Sequence, residues 1–260
     1  MSRRLANKRA FVTGASRGIG EAIAEAYAAE GAALVLNARD AGKLGQVAER
    51  LRADYGAEVE LAPGDLTDRD TVRRLAADAE DQGPIDVLVN NAGIYTGARF
   101  LDYTFEDFKR TIEVNVYGLF HLTQAVLPAM IARGCGRVVN LASTAGRWGS
   151  RNQSAYNASK HAVIGLTRCI ALEMAPHNVL VNAICPWVVD TDLGAELLGG
   201  HAAIAGVPQD DMTARLKSQV PLGRLVEPRE VATLAVFLGS EEASYVTGQA
   251  WAVDGGYTMI

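Results

Sequence analysis

Tyr156 and Lys160 stand four residues apart, which places them on one face of a helix. A phenol is a poor acid–base group at neutral pH, and a neighbouring ammonium favours its phenolate. The spacing therefore predicts a Tyr156 tuned toward the working pH and able to exchange a proton with a reacting oxygen. Ser143, upstream of the pair, carries a hydroxyl that can hold and orient the same oxygen. A second block, Thr13-Gly14-Ala15-Ser16-Arg17-Gly18-Ile19-Gly20, combines glycines with an approaching helix. Such a turn lets backbone amides and a helix N-terminus meet a pyrophosphate. No Lys-Ser or Lys-Thr pair follows the last glycine, so this is not a nucleotide-hydrolysing phosphate loop.

Strand-like and helix-like runs alternate along the chain and supply the scaffold these groups need. Strands are expected at 8–13, 33–38, 58–62, 86–90, 137–141, 178–184 and 250–253, and helices at 19–30, 69–81, 104–133, 154–175 and 227–238. A further helix passes through Leu44, Val47 and Leu51. Strands that are apolar on both faces, such as Asp86–Asn90 and Arg137–Leu141, belong in a parallel sheet covered on both sides. The expected fold is α/β, a single doubly wound sheet of about seven strands with ligands at the strands' carboxyl ends. No Pro-, Ser- or Gly-rich linker interrupts the sequence, so residues 1–260 are expected to form one domain. The stretch from Thr191 to Pro221 has no strand and contains Gly199, Gly200 and Gly206 as candidate hinges. It is expected to be a substrate lid at about 192–218.

Composition excludes several function classes. The formal net charge of −5 speaks against a nucleic-acid partner. No unbroken run of about eighteen apolar residues is present, so no membrane span is expected. The three cysteines and four histidines share no metal-ligand spacing, and the thiols fit a reducing, cytoplasmic location.

The glycine spacing resembles that of the short-chain dehydrogenase/reductase superfamily, and further blocks agree. They are Asn90-Asn91-Ala92-Gly93, Asn115, Ser143 and Tyr156-x-x-x-Lys160, and the resemblance runs from about Lys8 to the C-terminus. It implies a Rossmann-type oxidoreductase that moves a hydride between a nicotinamide cofactor and an alcohol/carbonyl pair, with Asn115, Ser143, Tyr156 and Lys160 catalytic. It also implies that Lys160 holds the nicotinamide ribose and that Asn115 supports a water relay to Lys160. Gly14, Ser16, Arg17, Gly18, Ile19 and Gly20 would cradle the pyrophosphate, with Asp65 and Leu66 flanking the adenine. Asn91 and Gly93 would line the cleft, and Pro186, Val189 and Thr191 would meet the nicotinamide carboxamide. The family usually places glycine after that proline. Here Trp187 follows, and it must either point away from the cofactor or narrow the site.

Cofactor choice is read at the end of the second strand, where an acidic residue would bind the ribose diol. This chain has Asn37 there, then Ala38 and Arg39. With no carboxylate to repel a phosphate, NADP(H) is expected over NAD(H), Arg39 being the main reader and Arg17 its assistant. Asp40 instead suits the cap of the next helix. The long lid is similar to that of polyketide ketoreductases and 3-hydroxybutyrate dehydrogenases. The carboxylate-reading His and Lys of the latter are replaced by Ala145 and Gln153, which favours a ketone or 3-oxoacyl-type substrate. The alternatives are an NAD-dependent secondary-alcohol or hydroxy-acid dehydrogenase, and a non-catalytic NADP(H)-binding regulator. A homotetramer is expected, built on helices 104–133 and 154–175, with Val163, Leu166, Ile170 and Met174 as spare apolar surface.

Overall fold

The structure, a computed structural model, describes residues 3–259. Strands β1 (Arg9–Thr13), β2 (Ala33–Asn37), β3 (Val59–Leu61), β4 (Val87–Asn90), β5 (Gly136–Leu141), β6 (Val179–Pro186) and β7 (Ala250–Val253) form one sheet of seven strands, ordered β3-β2-β1-β4-β5-β6-β7. Every neighbouring pair is parallel, with Thr13 beside Asn37, Asn90 beside Asn140 and Pro186 beside Val253. β4, β5 and β6 are buried along their whole length, which is why they read as continuous apolar runs.

Helices cover both faces. Ile23 and Tyr27 of α1 (Gly18–Ala29), Leu44 and Leu51 of α2 (Ala41–Tyr55), and Val231 and Val236 of α9 (Pro228–Gly239) pack on one side. Val72 and Leu75 of α3 (Arg69–Gln82) pack with Leu122 and Val126 of α5 (Gly118–Arg133) in a separate core cluster. Val163 and Ile164 of α6 (Ser154–Met174) bury beside Leu119 and Cys185. Strand order reverses beside β1, between β2 and β4, and the crevice at that reversal is where a doubly wound sheet binds ligands.

Three expectations are corrected. The helix expected over 104–133 is α4 (Phe105–Ile112), a π-helical turn at Glu113–Tyr117, and α5. Apolar spacing continues through the wide turn, so periodicity does not reveal it. This composite, Phe105–Arg133, also holds an 18-residue window of mean hydropathy 1.3, although no unbroken apolar run exists. Leu119, Leu122, Val126 and Met130 spend its inner face on the core, while Phe105 and Phe120 stay exposed.

The 192–218 segment is two helices, α7 (Asp192–Ala205) and α8 (Gln209–Lys217). Gly199 and Gly200 lie inside α7, and only Gly206, at φ +69°, ends a helix in the left-handed conformation. The first two are therefore helical residues rather than hinges. The apolar residues expected to be spare on α6 are also not spare. Val163 is fully buried, and Leu166, Ile170 and Met174 pack against the chain's own core.

Candidate active site

The cleft begins at an uncapped helix. Side-chain oxygens cap α2 (Asp40), α3 (Asp68) and α7 (Thr191), but Arg17 at the head of α1 makes no such bond. The first backbone N–H groups of α1 are left as donors for an anion. The turn before them is packed to contact. A Cβ on Gly20 would stand 2.3 Å from the Gly14 carbonyl oxygen, and one on Gly14, at φ +65°, 2.8 Å from Asn91 Nδ2. Asn91 Nδ2 donates to the Thr13 carbonyl at 2.9 Å, and the Thr13 hydroxyl accepts from the amides of Asn91 and Ala92. Thr13 is a strut that sequence reasoning missed. Its position one residue before the glycines was the available signal.

Around this turn lies a cavity of about 750 Å³ lined by Gly14, Ser16, Arg17, Gly18, Ile19, Asn37, Arg39, Asp65, Leu66, Asn91, Gly93, Tyr156, Lys160, Pro186 and Thr191. Such a volume is in the range of cofactor and ligand sites. Gly20 holds the turn from behind. Val189 does not line the cavity. Its side chain is buried in the core, and its backbone bridges to Val226. Trp187 points away from the cleft, packed on Tyr257 with ring centroids 5.5 Å apart.

At the reacting end Lys160 is buried, donating from Nζ to the Leu141 carbonyl at 2.7 Å. Desolvation lowers its pKa to about 8. Burial pushes the Tyr156 phenol up to about 12, with the neighbouring Ser143 hydroxyl acting in the opposite sense. The expected lowering of Tyr156 by Lys160 is thus absent from the chain alone. Nζ stands 5.6 Å from the phenol ring centroid, is directed at a carbonyl, and has its own charge penalised by burial.

Asn115 sits in the π-turn. Its Oδ1 accepts from Ile94 N at 2.8 Å, and its Nδ2 donates to Ile94 O and Ser159 Oγ. It fastens the segment after Gly93 to α6, close to Lys160. A Cβ on Gly93 would lie 3.2 Å from Asn115 Oδ1 and 3.7 Å from Lys160 Nζ.

At the opposite end Asn37 is buried, with Nδ2 donating to the carbonyls of Ala62 and Gly64. It ties β2 to the chain after β3, leaving Arg39 as the exposed side chain of the strand end. Arg17 turns toward α7, where Nη1 meets Asp192 Oδ2 at 3.1 Å. Lys43, in the first turn of α2, lines the cavity with Arg39 and was missed in the sequence, where its place just inside an Asp-capped helix was the only cue.

Uncapped amides, a glycine cradle and cations at the far end fit a phosphate-bearing dinucleotide, while a buried Tyr/Lys pair with a serine fits chemistry on a carbonyl or alcohol oxygen. Comparison with known proteins agrees. A family model described as enoyl-(acyl carrier protein) reductase, of the short-chain alcohol dehydrogenase type, matches residues 14–258. The chain belongs to the short-chain dehydrogenase/reductase family and is an oxidoreductase. It is 40% identical over 250 residues to a ketoacyl reductase of the granaticin polyketide synthase from Streptomyces violaceoruber, covering 95% of this chain and 92% of that one. It is also 40% identical over 258 residues to the L-tagatose-forming galactitol 2-dehydrogenase of Cereibacter sphaeroides, covering 98% and 97%. Among solved structures, a single-substitution variant of actinorhodin polyketide ketoreductase with NADPH superimposes with a TM-score of 0.93 at 36% identity, both chains covered completely.

Proposed function

We propose that the protein reduces a ketone, of 3-oxoacyl type or similar, with NADPH. The observation that carries this reading is the meeting of Tyr156 and Lys160, with Ser143 beside the phenol, at one end of a cleft whose other end displays Arg39 and Lys43. Bound nicotinamide dinucleotide supplies the hydride. Ser143 and Tyr156 hold the carbonyl oxygen, and the Tyr156 hydroxyl donates the proton that the forming alkoxide needs. Lys160 positions the ribose, and Asn115 braces the segment beside it. Arg39 supplies a planar fork for a 2′-phosphate that an NADH lacks. Similarity to a ketoacyl reductase and to an NADPH-bound ketoreductase supports this direction and cofactor.

In this reading α7 and α8 close over the substrate, and Gly206 joins them. The three free cysteines suit a reducing compartment such as the cytoplasm. Exposed Phe105, Phe108, Tyr117, Phe120 and Leu172 on α4, the π-turn, α5 and α6 form an apolar face that a homotetramer would cover. The deciding experiment is a panel of ketones and alcohols assayed with both cofactors by absorbance of the reduced nicotinamide. Ketone-dependent NADPH oxidation is expected. Alcohol oxidation with a higher kcat/KM for NAD would instead make the protein a dehydrogenase of the polyol type, as in the galactitol relative.

A further inference from the structure

Tyr95 lies two residues beyond Gly93, directly after Ile94 in the wall of the cleft. Its ring meets that of Tyr156 edge to face, with centroids 5.4 Å apart at 67°. On another side a Cβ on Gly200 of α7 would stand 3.7 Å from Tyr95 Cε1. A Cβ on Gly97 would fall 2.3 Å from the Tyr95 hydroxyl, so the backbone there is pressed against this side chain. Tyr95 therefore sits just behind the cleft lining, between the helix carrying Tyr156 and the helix expected to close over substrate.

The Tyr95 hydroxyl is buried and, among the described residues, has no hydrogen-bond partner. Its neighbour Tyr103 shows the contrast, donating from its own hydroxyl to the Thr96 carbonyl at 2.8 Å. An orphaned buried hydroxyl costs about 1–3 kcal/mol, so a fold that keeps one beside its reacting group has a use for it. A phenylalanine would fill the same space at no such cost. Burial also raises the Tyr95 pKa, so the group stays a neutral phenol that can both donate and accept.

We infer that Tyr95 is a specificity-determining residue whose hydroxyl binds a second oxygen of the substrate. The substrate class is then a ketone that carries another carbonyl or hydroxyl close to the reacting carbonyl, rather than a simple apolar ketone. Binding such an oxygen gives the orphaned hydroxyl its partner. An apolar ketone would leave it unpaired, and sites built this way discriminate against the analogue that lacks the polar group. This inference rests on the ketone-reductase reading above.

The test compares Tyr95→Phe with the unchanged protein on ketones matched in carbon count, acetylacetone against methyl propyl ketone and acetoin against butanone. The expected result is a wild-type preference for the oxygen-bearing member of each pair. In Tyr95→Phe, kcat/KM for that member should fall about tenfold, mostly through KM, with the plain ketone changed less than about twofold. NADPH affinity, measured by quenching of protein fluorescence, should be unchanged. Equal losses on both members would make Tyr95 a packing residue and overturn the inference, as would no loss on either. Absence of nicotinamide oxidation with every carbonyl offered to the wild type would instead defeat the underlying reading, and is distinguished by needing no variant.

Discussion

At the reacting end of the cleft Lys160 is 5% exposed, whereas at the phosphate end the Arg17 side chain is 57% exposed and its partner Asp192 70%. The same protein thus uses charge in two physical regimes within one cavity. Burial at the reacting end penalises ionisation and moves the pKa values of Lys160 and Tyr156 in opposite directions, bringing the lysine's closer to neutral pH and taking the phenol's further from it. At the phosphate end the cations remain exposed to water. They attract an anion without the cost of desolvation, but each contributes modestly and is screened by salt. In the proposed reading, chemistry falls on buried side chains and cofactor recognition on exposed ones.

The sharpest way to break this contrast is to remove one hydroxyl from the buried end. Tyr156→Phe is expected to lower kcat by about 10²–10⁴-fold while NADPH binding stays nearly intact. A variant that keeps a tenth of wild-type kcat would take Tyr156 out of proton transfer. Next in size is the stability stored against Lys160. Its folded pKa near 8 lies below the ordinary 10.5, so between those values the unfolded chain binds a proton that the folded chain has shed. Stability on this account rises with pH through that window, and below it the buried charge costs on the order of 3 kcal/mol. Lys160→Met should therefore be inactive yet more stable at pH 7 by about 2 kcal/mol, since losing the bond to Leu141 O returns about 1 kcal/mol. Denaturant melts should show the advantage shrinking from pH 8 to pH 10.5. An advantage that did not depend on pH would refute the desolvation account.

Effects at the exposed end should be smaller. Arg39→Ala is expected to raise KM for NADPH roughly tenfold, about 1.4 kcal/mol, and to leave NADH little changed. A parallel loss with both cofactors would show that Arg39 does not read the 2′-phosphate. Smallest of all is the Arg17–Asp192 pair, for which exposed geometry allows about 0.2–1 kcal/mol. Asp192→Asn should free Arg17, lower KM for NADPH by no more than about threefold, and speed amide exchange over Asp192–Lys217. Unchanged exchange would mean that the pair does not tether α7.

Much of this contrast could be read from the sequence, though unevenly. The strand-turn-helix around Gly14–Gly20 and the Ser143, Tyr156 and Lys160 set declared themselves because backbone sterics and helical spacing are local. Asp40 as a helix cap was local too, and its carboxylate accepts from Lys43 N. What escaped were facts about long-range partners. Nothing near Arg17 announces that Asp192, far along the chain, would claim its guanidinium. Nothing near Tyr156 tells whether burial or the neighbouring ammonium governs its proton. Gly199 and Gly200 look like hinges by residue type, yet both lie inside the helix α7. Trp187 could be weighed but not oriented until Tyr257, near the chain's end, supplied its neighbour.

The π-turn at Glu113–Tyr117 carries one more residue than an α-helical turn of the same span would hold. Each residue of an α-helix advances the side-chain direction by about 100°. Deleting one residue from this turn would therefore regularise the helix locally while swinging everything on one side of it by that angle. Asn115 would leave Ile94, and the exposed aromatics of α4 would rotate relative to those of α5. Insertions and deletions in homologous chains should accordingly avoid this short span even where single substitutions are accepted. The segment works as a phase marker, setting the angular offset between an apolar outer face and the amide that braces the cleft.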